Sequence, residues 1–111
     1  MKVTVSMDMK KKRLRIHRRT LRMMNDPQYI YIWVNPEDKT LAICTCDKSS
    51  KDAVSIRYNR DCEIYSGGLF YELQKLNNEL MDDRTYRLTG DTVRDNRVAV
   101  FRITEIAAAD T

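Results

Sequence analysis

The chain has 111 residues, 42% hydrophobic and 32% charged, including nine aromatics, a length and composition that suit one modest core and exclude a disordered bulk. No run approaches the about 18 apolar residues of a membrane helix, and the start MKVTVSMDM has no apolar signal core, so a cytoplasmic protein is expected. The formal charge of +4 hides an asymmetry: eight of the 20 basic residues fall in Lys10–Arg22, which has no acidic residue, and the other 98 residues carry 12 basic and 16 acidic side chains, a net of −4.

In chain order, Val3, Val5, Met7 and Met9 alternate with Thr4, Ser6, Asp8 and Lys10, which predicts a strand with one buried face. After the turn Lys11-Lys12-Arg13, Leu14 and Ile16 resume the alternation. Arg18 to Asn25 makes a short helix with Leu21 and Met24 inward, stopped by Asp26-Pro27. YIYIWV and TLAICTC flank the turn residues Asn35 to Lys39 and predict a hairpin. The polar run DKSSKD, 47–52, is the one convincing linker.

Beyond the linker the same order returns. Val54, Ile56 and Tyr58 alternate, Asn59-Arg60-Asp61 turns, and Cys62 and Ile64 alternate again. Ser66 is a candidate N-cap for a helix carrying Leu69, Leu73, Leu76 and Leu80. Thr85 to Thr89 and Arg97 to Ile103 then flank a turn at Arg94-Asp95-Asn96. A shift of 48 places Leu14, Ile16 and Leu21 on Cys62, Ile64 and Leu69; a shift of 57 places Tyr29, Tyr31, Leu41 and Ile43 on Tyr86, Leu88, Val98 and Val100. The pattern predicts a single mainly-β (α+β) domain over 1–111 made of two β-β-α-β-β repeats. Its half-units are 1–46 and 53–105, joined by the linker and followed by a frayed tail, 106–111.

The stretch KRLRIHRRTLRMM and the hairpin after it resemble the swapped-hairpin transcription factors of the AbrB, MazE and SpoVT kind. Arg13, Leu14, Ile16, Leu21 and Arg22 stand at the positions of that family's "GR-apolar-x-I-P" strand and "x-x-LR" helix start, with Lys12 in place of the usual glycine and His17 in place of the usual proline. The resemblance covers about the first 46 residues. It implies a pseudo-symmetric swapped-hairpin barrel, a DNA-binding regulator or antitoxin-like role, and arginines of the turn and helix region presented to DNA. The second half has diverged: residues 58–70 hold only Arg60, Asp61 and Glu63 as charges.

Lys10, Lys11, Lys12, Arg13, Arg15, Arg18, Arg19 and Arg22 are therefore the candidate nucleic-acid contacts, with DNA as the first partner class. A protein-interaction module or inhibitor of phage or mobile-element type, which binds an acidic protein partner or a nucleic-acid-binding groove, is the alternative, and a homodimer is compatible with either. Arg15 alternates outward from Leu14 and Ile16, and Arg18, Arg19 and Arg22 can share the helix face opposite Leu21.

Chemistry of other kinds finds little purchase. Cys44, Cys46 and Cys62 cannot all pair within one chain and lack the spacing of a zinc site, so reduced thiols and no metal are expected. His17, the only histidine, sits among cations with no serine or cysteine nucleophile beside it in the sequence, and no phosphate loop or paired-carboxylate motif occurs. A non-enzymatic protein without cofactors is the expectation. Tyr29, Tyr31 and Trp33 form an aromatic stripe opposite Ile30, Ile32 and Val34, which favours a core or subunit-interface strand over a base-stacking surface.

Overall fold

The computed structural model describes residues 2–57 and 59–109. Its strands are β1 (Lys2–Asp8), β2 (Arg13–Ile16), β3 (Tyr29–Asn35), β4 (Thr40–Thr45), β5 (Val54–Ser55), β6 (Cys62–Tyr65), β7 (Thr85–Val93) and β8 (Val98–Ala108). Two helices interrupt them, α1 (Arg18–Met23) between β2 and β3, and α2 (Gly67–Leu76) between β6 and β7. The fold is mainly β, in the order read from the sequence. Among the described residues no helix is long and apolar enough to cross a membrane.

All eight strands form one antiparallel sheet in the order β5-β3-β4-β8-β7-β1-β2-β6, curled into a half-barrel. The first hairpin of the chain, β1–β2, does not lie against the second, β3–β4. Instead β1 pairs with β7, and β5 pairs with β3, so each half lends its opening strand to the closing hairpin of the other. Among the described residues no ladder joins β5 to β6, and the curled sheet is an open half-barrel.

The two sequence shifts are the symmetry of this sheet. Shifting by 48 turns the pair Leu14–Ile64 into Ile16–Cys62, and both pairs occur in the β2–β6 ladder. Shifting by 57 turns Leu41–Phe101 into Cys44–Val98, and Ala42–Val100 into Ile43–Ala99, all four being pairs of β4 with β8. Used together, the shifts carry Tyr29–Ser55 onto Tyr86–Met7. A pseudo-twofold axis thus passes between β4 and β8 and again between β2 and β6. On the second crossing Arg15 and Glu63, equivalent residues of the two halves, stand opposite each other.

The inner face of the sheet is the core. Val3, Val5, Met7, Leu14, Ile16, Leu41, Ile43, Leu88, Phe101 and Ile103 are buried together under Leu21 of α1 and Phe70 and Leu73 of α2. Thr20 fixes α1 to β1: its hydroxyl donates to Thr4 O and accepts from Thr4 N. Ser66 caps α2, its Oγ accepting from Leu69 N at 3.1 Å. The nine-residue difference between the shifts is taken up by the longer α2 and the loop after it.

Several boundaries differ from the sequence reading. α2 ends at Leu76, not beyond it, because Asn77 leaves helical conformation and donates from Nδ2 to Ile103 O at 2.9 Å; Leu80 is buried from the loop that follows. Residues 106–108 are not a frayed tail but the end of β8, paired with Tyr86, Arg87 and Leu88; alanines 107–109 carry no alternation to read, and residues 110–111 lie outside the described residues. β5 is only two residues long, and Tyr58 lies outside the described residues. Between β7 and β8 the register shifts at Leu88/Gly90. Gly90 permits the close approach there, since a Cβ would lie 2.1 Å from Val100 O.

The aromatic stripe is not core. Ile30, Ile32 and Val34 face inward, while Tyr29 and Tyr31 are half-buried and Trp33 is 56% exposed on the outer face. One layer packs against β3, not two.

Candidate nucleic-acid interface

The basic segment occupies three places. Lys10, Lys11 and Lys12 form the β1–β2 turn, where Lys12 adopts the left-handed region with φ 53° and Lys11 N donates to Asp8 Oδ1 at 3.1 Å. Lys10 and Lys11 are exposed; the turn closes on α2 through Ser66 N, which donates to Lys12 O. Arg13 and Arg15 project from the outer face of β2, as alternation requires. Arg18, Arg19 and Arg22 lie on α1.

Acidic residues outside the segment, some flanking it and some distant in sequence, meet part of this charge. Arg13 forms ion pairs with Asp8 (3.3 Å) and Glu63 (3.1 Å), and Arg15 with Glu63 (3.5 Å). A hydrogen bond with Tyr65 and the two carboxylates raise the pKa of Arg13 above its ordinary value, against the cost of desolvation. Arg18 bonds Asp26, and its backbone N–H donates to Asp61 Oδ1 at 2.8 Å. It therefore does not share the exposed helix face with Arg19 and Arg22; its side chain is 13% exposed. The segment without an acid in sequence is not without one in space.

Lys10, Lys11, Lys12, Arg19 and Arg22 form no ion pair among the described residues. They flank β2 at its two ends, and the five steps from Lys12 to His17 span about 16 Å of extended chain. That is comparable to the width of about 12 Å of a duplex major groove.

His17 occupies the N-cap position of α1 without capping it. Contrary to the expectation from sequence, a serine does partner it: Ser6 Oγ lies 2.9 Å from His17 Nε2. The neighbour was invisible because β1 and β2 bring residues 11 apart together. Asp61 Oδ2 lies 3.9 Å from Nδ1, beyond hydrogen-bond length, and Oδ1 of that carboxylate is taken by Arg18 N. Ser6, His17 and Asp61 thus stand in a row whose first step is a hydrogen bond and whose second is longer than one.

Ser6 and His17 border a cleft of about 270 Å³ on the polar face of β2, β1 and β7, together with Asp8, Arg13, Arg15 and Arg87. Thr85 and Ala109 complete its rim. Arg87 was missed in the sequence, where nothing shows that β7 lies beside β1. The thiols separate: Cys44 is buried on the outer face, whereas Cys62 belongs to the inner core, where burial pushes its pKa up to about 11. No group of three or more His, Cys, Asp or Glu among the described residues is placed to hold a metal ion. No family model, curated protein or solved structure matches the chain.

Proposed function

We propose that this chain is a non-enzymatic, cytoplasmic DNA-binding protein, a regulator or antitoxin-like component, that docks the β1–β2 turn and the exposed side of α1 on phosphates. The observation carrying the reading is the set of five cations at Lys10, Lys11, Lys12, Arg19 and Arg22 that no carboxylate meets among the described residues. Like charges gathered without counter-charge cost stability and attract a polyanion. Arg13 and Arg15, already held by Glu63, would orient rather than supply most of the salt-sensitive attraction.

The test is fluorescence anisotropy with random and genomically adjacent duplexes across a salt series. Each phosphate contact contributes about 0.9 to the slope of log affinity against log salt, so changing Lys10, Lys11, Arg19 and Arg22 together to Gln is expected to flatten it by about 3 to 4. Negligible binding of the native chain at low salt would remove the reading. A protein partner is the second reading, favoured by the exposed Trp33 on the outer sheet face. It predicts weak, unselective DNA binding and no preference for any duplex.

A further inference from the structure

The cleft beside β2 is chemically distinct from the exposed turn and helix. Its make-up follows from register: Ser6 stands between Arg15 of β2 and Arg87 of β7, and Asp8 between Arg13 and Thr85. Directly opposed side chains have Cβ atoms about 4.5–5.5 Å apart, so three guanidinium groups border one small cavity. Asp8 is the one carboxylate among the lining residues, and even counting Glu63, which reaches Arg13 and Arg15 from β6, arginines outnumber carboxylates three to two. Arg87 forms no ion pair among the described residues, and the buried Nε atoms of Arg13 and Arg15 have no acceptor. An arginine without a counter-charge on the wall of a net-positive cleft suits an anion.

We propose that this cleft binds a single phosphate group, either free or as a phosphomonoester. Arginine forks match phosphate oxygens in pairs, and here they approach from two strands on either side of the Ser6 hydroxyl. The site takes Arg13, Arg15 and Ser6 from the first half and Arg87 from the second, so it exists only because β1 crosses to β7. It does not rest on the DNA reading, since Lys10, Lys11, Arg19 and Arg22 do not line it.

The test is an ¹H–¹⁵N NMR titration of the full chain at constant ionic strength with inorganic phosphate, a 5′-phosphorylated mononucleotide, its unphosphorylated nucleoside and chloride. Saturable shifts centred on Ser6, Arg15 and Arg87 are expected with the two phosphates and not with the nucleoside or chloride. Tighter binding of the mononucleotide identifies a phosphomonoester as the source, and equal binding identifies free phosphate. Arg87→Gln is expected to weaken binding about tenfold or more, and Arg87→Lys, which keeps the charge and loses the fork, also weakens it while the melting temperature is retained. The Lys10, Lys11, Arg19, Arg22 quadruple Gln variant keeps phosphate binding while losing duplex affinity. Unsaturable shifts, indifference to both Arg87 variants, or equal loss in the quadruple variant overturns the proposal.

Discussion

Cys62 shows how far one residue's environment departs from its sequence. Nothing in the alternation of Cys62 and Ile64 separates this thiol from Cys46, yet Cys62 is buried against the core and its pKa is pushed up to about 11 by desolvation and then by Glu63. Since the folded pKa is raised, the contribution to stability is full below the unfolded value of about 8.5 and is lost as pH rises through about 11. Urea midpoints measured from pH 8 to 11 should therefore fall less steeply for Cys62→Ala than for the native chain. Gly90 is the complementary case, a residue with no chemistry whose missing Cβ lets β7 meet β8. Gly90→Ala should cost about 2–3 kcal/mol in chemical denaturation, because the obstacle is backbone at Val100 and not a side chain that can swing aside.

At the scale of the elements, the repeat was legible because burial is periodic. Val3, Val5 and Met7 of β1 and Leu14 and Ile16 of β2 are all buried as their alternation requires, and Ser66 caps α2 as its position before an apolar helix suggests. Ser66→Ala should lower stability by about 1 kcal/mol with an unchanged denaturant slope, since one capping bond is lost and the fold kept. What the sequence left dark is non-local. The aromatic alternation of β3 says that both faces are apolar, and not that only one is covered. Similarly, Glu63, the acid that meets both Arg13 and Arg15, is about 50 residues away from them. Periodicity reports which side of a strand is inside. It does not report the strand next door, so the candidate contacts could be named in the sequence but not sorted into met and unmet charges.

For the whole molecule, the crossing of β1 to β7 and of β5 to β3 makes each half an incomplete sheet. Separate fragments 1–46 and 53–111 should each lack cooperative unfolding by circular dichroism, and their equimolar mixture should recover β structure and a melting transition. A first fragment that melts cooperatively as a monomer would contradict this dependence. Among the described residues, four of the seven ladders that hold the sheet, β1–β7, β2–β6, β3–β5 and β4–β8, join strands that are not consecutive, so its assembly carries the entropy cost of long loops and is expected to be slow for its size.

The opposed pair Arg15 and Glu63 bears on what else this chain could assemble into. A self-paired first half would set Arg15 against its own copy at the axis, cation facing cation, and a self-paired second half would set Glu63 against Glu63. In the intact chain the same position is an ion pair of 3.5 Å. Each half is thereby biased toward its unlike partner, and two chains that exchange halves must still match first with second. The duplicated sheet carries its own rule against mispairing.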